Sequence, residues 1–300
     1  MVGSKLLPYV LELVSAQDSK LGARLHTQIA AVDESFAPRA EEFWGRYQRF
    51  LASEGKTISY GVHCFLALQR GVEEQRAGFL KTGKYPNTSF AAVERAIYAN
   101  PEVMQQHMHG LVLAQFLWPD KYRRFQFFCE HLPDYAAKIR RYLEIGGGHA
   151  LYLSEAERVL SAQTALDVVD ISETSLRMAR SIARAPRIRF QQSNIFDFPE
   201  HARYDFVTMG EVLEHVEQPR ELLAKVRRLL APEGRAYITT PANAPMIDHI
   251  YLFRNAQEIR NVLTECGFRI ERETCKYAVE VSETLAERLR IPLMYAAFVA

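Results

Sequence analysis

The stretch that most restricts the fold of this chain is residues 142–150, which read Tyr-Leu-Glu-Ile-Gly-Gly-Gly-His-Ala. A short apolar strand here ends in an acid and then a glycine-rich turn. Glycine has no Cβ and tolerates positive φ, so such a turn lets the backbone come close to a ligand. A helix that follows it presents unpaired N–H groups at its start. The stretch therefore predicts a nucleotide-type pocket at the carboxyl edge of a parallel sheet.

The order of elements after this turn makes the prediction more specific. Apolar strand patterns alternate with amphipathic helical stretches, which is typical of a parallel, doubly wound sheet. The last strand follows a helix near the end of the chain and is expected to enter the sheet antiparallel. The predicted strands are residues 142–145, 165–170, 188–191, 204–209, 235–240, 268–273 and 294–299.

The first half of the chain has helical periodicity instead. Asn100 followed by Pro101 predicts an N-cap with proline at the first helical position, opening a long apolar helix to about Trp118. We therefore expect two parts: a helical lid or substrate domain over residues 1–134 and a sheet domain over residues 135–300. The predicted fold class is α/β, with a mostly parallel, seven-stranded Rossmann-like sheet and an N-terminal all-helical domain.

Composition excludes several classes of protein. The chain has 300 residues with 37 Lys+Arg against 36 Asp+Glu, a net charge of +1, so no global basic field favours a nucleic-acid partner. The four cysteines form no CxxC pair, which indicates a reducing cytoplasm. No apolar run approaches the roughly 20 residues that span a bilayer. Residues 6–14 are interrupted by Pro8 and Glu12 and predict a short helix, not a signal peptide. A homodimer is left open.

A second acid is expected about 20 residues past the glycine turn, where it would hold ribose hydroxyls. Asp170 stands at the tip of the predicted second strand, whereas its competitor Asp167 lies inside that strand. Dinucleotide-binding enzymes share this arrangement, so the acid alone does not indicate which cofactor is bound. Gly146 and Gly148 fit the first two positions of G-x-G-x-x-G, but Leu151 occupies the third, which argues against NAD.

Five stretches in this order resemble the motifs of class I S-adenosylmethionine-dependent methyltransferases. They are residues 143–150, 168–172, 192–199, 204–216 and 229–241. The resemblance covers about residues 141–300, and its specificity comes from the order and spacing of the motifs. Ala150 replaces the usual third glycine, and Asn194 stands where the family commonly has an aspartate beside the adenine. An amide could still meet the exocyclic amine through its carbonyl oxygen.

The resemblance implies S-adenosylmethionine as cofactor and assigns its contacts. The implied residues are Glu144, Gly146, Gly147 and Gly148 at the amino-acid end, Asp170 at the ribose, Ile171, Asn194 and Ile195 at the adenine, and Met209 and Gly210 near the sulfonium. A sulfonium already carries a good leaving group. The protein must therefore hold a nucleophile in line and, where needed, remove a proton.

Candidate catalytic residues follow the fourth strand. Glu211, Glu214 and His215 are expected on one face of a helix, because residues three and four apart are neighbours there. His215 is the first candidate for a general base, and His249, after the fifth strand, is the second. The same four residues allow a less favoured alternative, a divalent metal site. Some ubiquinone-pathway O-methyltransferases and small-RNA terminal 2′-O-methyltransferases look similar at Glu-x-x-Glu-His.

The acceptor site is the least determined part. Tyr60, His63 and Trp118 are candidates for an aromatic substrate pocket, and His107 and His109 are expected to be one packed and one exposed. The predicted function is methyl transfer to an oxygen or nitrogen of a small molecule, in specialised metabolism. A metal-dependent RNA 2′-O-methyltransferase and a non-catalytic cofactor-binding scaffold remain alternatives, since fold does not guarantee activity.

Overall fold

The computed structural model describes residues 5–300, and its first part is helical. The helices are α1 (Leu6–Gln17), α2 (Ser19–Ala30), α3 (Phe36–Ser53), α4 (Ile58–Thr82), α5 (Phe90–Val93), α6 (Pro101–Leu117), α7 (Pro119–His131) and α8 (Pro133–Ala136). A π-helical turn, Glu94–Tyr98, follows α5 directly.

The long helix α6 begins and ends where its sequence predicts. The Asn100 side chain accepts hydrogen bonds from the N–H groups of Glu102 (3.2 Å) and Val103 (3.3 Å), which satisfies two donors that have no partner within the helix. Pro101 occupies the first turn, and α6 stops at Leu117, two residues before Pro119 opens α7. These residues fix where α6 begins and ends.

The second part alternates strands with helices. The strands are β1 (Arg141–Ile145), β2 (Ala165–Asp170), β3 (Ile188–Gln192), β4 (Tyr204–Gly210), β5 (Leu230–Ala242), β6 (Ile270–Tyr277) and β7 (Leu293–Val299). The helices are α9 (Leu151–Val159), α10 (Glu173–Ile182), α11 (Pro219–Leu229), α12 (Ala256–Glu265) and α13 (Glu283–Arg288). The strand order is β3-β2-β1-β4-β5-β7-β6. β7 pairs antiparallel with β5 and β6, and the other four pairs are parallel, so the predicted fold class and the predicted final strand are confirmed.

The sheet order places a ligand site at one edge. β1 pairs with β2 on one side and with β4 on the other, and both pairs are parallel. The connections that leave β1 and the strands beside it therefore diverge at their carboxyl ends. In doubly wound sheets this divergence forms the crevice where ligands bind.

The helical part and the sheet share one core. Phe128 of α7 lies 4.9 Å from Tyr237 of β5 and 5.1 Å from Tyr152 of α9, measured between ring centroids. It also stacks on Phe298 of β7. The boundary that we propose at residues 134/135 therefore separates two segments of the chain that are packed together.

None of the helices in residues 5–300 is both long enough and apolar enough to cross a bilayer.

Candidate functional site

A cavity of about 370 Å³ lies at the carboxyl ends of β1, β2 and β4. Its floor is the glycine turn after β1 together with the ends of the neighbouring strands. Its other walls come from α6, α7 and the segment that precedes α6, so the helical part of the chain covers the crevice. Most of the residues implied as cofactor contacts therefore line one shared cavity.

The turn after β1 requires its glycines. Gly146 has φ +70°, and a Cβ there would lie 2.6 Å from Cγ2 of Val212. A Cβ on Gly147 would collide with Val168, and one on Gly210 would lie 2.6 Å from the Tyr152 ring. The backbone at the cavity floor is thus packed as closely as a ligand-binding turn demands. Ala150, the departure from the usual glycine, adopts φ +60° at the start of α9.

Asp170 connects the second strand to the glycine turn. One carboxylate oxygen accepts the Gly148 N–H at 3.0 Å, and the other accepts the Ser172 N–H at 2.8 Å. Burial raises the pKa of Asp170, and these backbone hydrogen bonds oppose the increase. A carboxylate has about four lone-pair positions. Two remain, so Asp170, which lines the cavity, can still accept from hydroxyl groups.

Glu144 and Asn194 both line the cavity, and each has a hydrogen-bond partner within the protein. Glu144 is buried at the tip of β1 and accepts a 2.9 Å hydrogen bond from Tyr142 Oη. Burial raises the pKa of Glu144 to about 8. Asn194 Oδ1 accepts the Phe196 N–H at 3.0 Å, which uses one lone pair of its carbonyl oxygen. Ile171 and Ile195 line the wall between Asp170 and Asn194.

Glu211 does not share a helical face with Glu214 and His215, and that prediction is wrong. Glu211 has φ +56°, and its N–H donates to Thr239 O at 3.1 Å, while Leu213–His215 form only a single 3₁₀ turn. Two buried cations of α7, Lys121 and Arg124, hold the Glu211 carboxylate instead, with Lys121 Nζ at 3.3 Å.

The ion pairs of Glu211 also set its charge. Burial alone would raise the pKa of Glu211, but Arg124 and then Lys121 lower it below its ordinary value. Sequence reasoning missed both cations, because nothing in the sequence indicates that α7 lies over the end of β4.

His215 stands in a polar network that sequence reasoning found only in part. Its Nδ1 lies 3.0 Å from Tyr98 Oη and 3.1 Å from the backbone oxygen of Asp248. Tyr98 Oη also donates to Asp248 Oδ2 at 3.3 Å, and His107 Nε2 lies 3.6 Å from the same oxygen. The neighbour of Asp248 in the sequence, His249, was a candidate, but Asp248 itself and Tyr98 were not.

The charges around the two candidate bases differ. Burial tends to lower the pKa of His215, but Asp248 and Glu214 outweigh it and raise the pKa above its ordinary value. Burial, and to a lesser extent the charge of His215, lowers the pKa of His249 to about 3. The ring centroids of the two histidines are 4.9 Å apart. His249 is therefore neutral across the ordinary pH range, and His215 is the histidine that can gain and release a proton.

Three of the four predicted metal ligands converge. Donor atoms of Glu214, His215 and His249 all lie within 4.8 Å of one another. Glu214 Oε1 is 3.8 Å from His215 Nε2 and 3.9 Å from His249 Nε2. That oxygen is buried and has no hydrogen-bond partner among residues 5–300, whereas Oε2 accepts from Thr240. One carboxylate and two imidazoles are a fitting donor set for a divalent ion. Glu211 does not belong to it.

The predicted substrate residues lie elsewhere. Tyr60, His63 and Trp118 do not line the cavity. Trp118 Nε1 donates to Gln69 Oε1 at 2.9 Å, the Tyr60 ring packs against His109, and His63 is exposed. Helical periodicity gives the spacing of these residues but not the direction of the face that carries them.

Two further expectations need correction. His107 and His109 are both buried, because α6 is covered on more than one side. Tyr47 Oη lies 2.7 Å from His109 Nδ1, on the side of α6 away from Asp248. Met209 is fully buried and belongs to the cluster that includes Leu222 of α11, so only its neighbour Gly210 lines the cavity.

The sequence of the chain shows to which family it belongs. Residues 117–273 match the family model described as a methyltransferase domain, which is more than half of the 300-residue chain. The chain belongs to this family. Membership confirms the predicted class, the S-adenosylmethionine-dependent methyltransferases, and S-adenosylmethionine as the cofactor of that class.

Proteins similar to this chain in structure or in sequence are also named methyltransferases. The N-methyltransferase NodS from Bradyrhizobium japonicum, solved with S-adenosylhomocysteine, has a TM-score of 0.50 and 17% identity over 71% of this chain and 98% of that one. That likeness concerns the fold alone. The ubiquinone biosynthesis O-methyltransferase of Marinobacter nauticus is 28% identical over 41% of this chain and 53% of its own length. The Coxiella burnetii protein of the same name is 30% identical over 42% and 53%. This chain thus matches about half the length of these relatives.

Proposed function

We propose that this protein transfers a methyl group from S-adenosylmethionine to an oxygen of a small-molecule acceptor, with nitrogen as the alternative atom. The observation that carries the proposal is the shared cavity, in which the glycine turn and Asp170 face the same space as His215 and Asp248. The similarity to proteins named O-methyltransferases favours oxygen.

The cofactor contacts are assigned from the cavity walls. Asp170 would accept from both ribose hydroxyls, while Ile171, Asn194 and Ile195 would enclose the adenine. Glu144 and the turn Gly146–Gly148 would hold the amino-acid end. The cofactor supplies a methyl group on a positively charged sulfur that is already a good leaving group. What the protein adds is position, with the Gly210 backbone beside the reacting methyl.

His215 would remove the acceptor's proton. Its Nδ1 is held by the Asp248 backbone oxygen and Tyr98, which leaves Nε2 to take a proton from a hydroxyl. The Asp248 carboxylate stabilises the imidazolium that results. The cover formed by α6 and α7 would limit the access of water to the reacting atoms. This arrangement suits a hydroxyl acceptor, whose oxygen becomes a far better nucleophile as its proton leaves.

The base proposal predicts a pH dependence. His215 must be neutral to accept a proton, so kcat/KM should rise with pH through its pKa, which the charge of Asp248 raises. Asp248→Asn removes that charge and should move the rising limb to lower pH while decreasing its plateau. The measurement is the pH profile in the presence of a chelator. Asp197→Asn, at an exposed position outside the cavity, serves as the control. If the rising limb of the Asp248→Asn profile stayed at the same pH as in the wild type, His215 would not be the base.

A divalent ion held by Glu214, His215 and His249 is the second candidate. The observation that favours it is the unpartnered Glu214 Oε1 between the two imidazoles. An ion there would polarise the acceptor's oxygen and lower its pKa. If His215 acts as a base alone, activity should survive exhaustive dialysis against EDTA. A metal site would be established instead if dialysis abolished the activity and Mg²⁺, Mn²⁺ or Zn²⁺ restored it in the wild type but not in Glu214→Gln.

A non-catalytic scaffold and an RNA methyltransferase are the remaining alternatives, and they are distinguished by which acceptors the protein methylates. We propose a small molecule as partner and no nucleic acid, in keeping with the net charge of +1. Cytoplasmic location and a homodimer remain proposals. A scaffold would bind S-adenosylhomocysteine yet methylate no member of a broad panel of phenols, catechols and amines, and an RNA methyltransferase would methylate only RNA ends.

A further inference from the structure

A second, smaller cavity of about 130 Å³ lies between α4, α6 and the loop that follows β5. We call it the side groove. Its lining includes Leu68, Gly71 and Val72 of α4, Val103 of α6, and Ile247. No aspartate, glutamate, lysine or arginine lines it within the part of the chain that the structure describes. Its walls therefore suit an apolar group.

The side groove adjoins the main cavity. His107 and Met246 line both spaces. His107 is also the residue whose Nε2 lies 3.6 Å from Asp248 Oδ2, within the polar network around His215. The two spaces therefore meet at one pair of side chains, close to the polar network that holds His215.

The groove results from how α4 and α6 diverge. The two helices are in close contact at Gly110, where a Cβ would lie 2.9 Å from Cys64 O and 3.0 Å from the Leu68 side chain. At Gly71, farther along α4, a Cβ would meet nothing within 4 Å. Because Gly71 has no side chain, the space beside it stays open. These helix segments precede residue 117, so they lie outside the region shared with the methyltransferase family.

We propose that the side groove binds an aliphatic substituent of the methyl acceptor, which passes between His107 and Met246 while the reacting hydroxyl lies at His215. This rests on the proposed function and names the class of acceptor, a hydroxyl compound that carries an apolar chain. An apolar cavity of about 150 Å³ holds benzene. The side groove is slightly smaller, so it should accommodate a chain of about four to six carbons.

The test uses phenol and the 4-n-alkylphenols from methyl to octyl as probes. Their affinities are measured by calorimetry with the full-length protein saturated with S-adenosylhomocysteine. Each added methylene should tighten binding about threefold to fourfold. The gain should stop at about four to six carbons, where the groove is full. No dependence on chain length in the wild type would overturn the proposal.

A pair of matched variants locates the effect. Gly71→Leu fills the groove and should abolish the chain-length gain while leaving the affinities for phenol and S-adenosylhomocysteine unchanged. Gly78→Leu is the control, since it lies on the same helix, also has nothing within 4 Å of an added Cβ, and does not line the groove. A gain that persists in Gly71→Leu would mean that the chains bind elsewhere and would overturn the proposal.

The outcome also separates this inference from the proposed function. If S-adenosylhomocysteine binds and phenol is methylated without any chain-length gain, only the groove assignment fails. If S-adenosylhomocysteine does not bind at all, the methyltransferase proposal fails, and the groove proposal fails with it.

Discussion

Asp170→Asn is expected to weaken the binding of S-adenosylhomocysteine by about 30-fold to 100-fold, because hydrogen bonds to a charged group contribute about 1.5–3 kcal/mol each. The substitution keeps the shape of the side chain but replaces one oxygen with a donor. That donor would face either the Gly148 N–H or the Ser172 N–H, which now donate to the two carboxylate oxygens at 3.0 Å and 2.8 Å. The loss should appear in calorimetric Kd values.

The matched control for Asp170→Asn is Asp167→Asn on the same strand. Asp167 accepts from Arg189 at 2.8 Å and from Tyr204 at 2.9 Å, and it does not line the cavity. The substitution Asp167→Asn should therefore lower the stability of the fold more than the affinity for the cofactor. Thermal melting of both variants separates a folding defect from a binding defect. Equal affinity in Asp170→Asn and the wild type would remove Asp170 from the cofactor site.

His215→Ala is expected to lower kcat by about 10²-fold or more, as is typical for the loss of a positioned general base. Affinity for S-adenosylhomocysteine should change little, because His215 lies at the acceptor end of the cavity. His249→Ala should cost less than His215→Ala, since burial holds the pKa of His249 at about 3 and the ring does not exchange protons in the ordinary pH range.

His201→Ala, at an exposed position outside the cavity, is the control for the histidine variants. The three variants His215→Ala, His249→Ala and His201→Ala are compared by their single-turnover rates with the same acceptor. A loss in His249→Ala that exceeds the loss in His215→Ala would exchange the roles of the two residues. Unchanged turnover in both would mean that the cavity acts by positioning alone.

The sheet could be predicted because each strand carries its own signal. Ala165–Asp170 is an apolar run that ends in an acid, and the structure has β2 over those residues. β5 is longer than predicted, Leu230–Ala242 instead of residues 235–240. Its first residues hold Pro232 and Gly234, which favour a turn locally, but Leu230 pairs with Tyr204 across a register shift in the sheet. Pairing with a strand that is distant in the sequence therefore outweighed the local preference of these residues for a turn.

The acceptor side of the site could be predicted only in part. Glu211 adopts a left-handed conformation held by contacts with α7 and β5 that no local pattern specifies. Tyr98 reaches the site from a π-helical turn, and its partner Asp248 lies 150 residues away in the sequence. The cofactor residues, in contrast, lie at strand ends, where the order of the strands alone brings them together.

The most direct test of this account is a crystal structure of the protein with S-adenosylhomocysteine bound. The ribose hydroxyls should lie on the Asp170 carboxylate and the adenine beside Asn194. The sulfur should lie close to Gly210, with open space between it and His215. A ligand that binds away from the glycine turn, or a nicotinamide cofactor occupying that turn, would contradict this account.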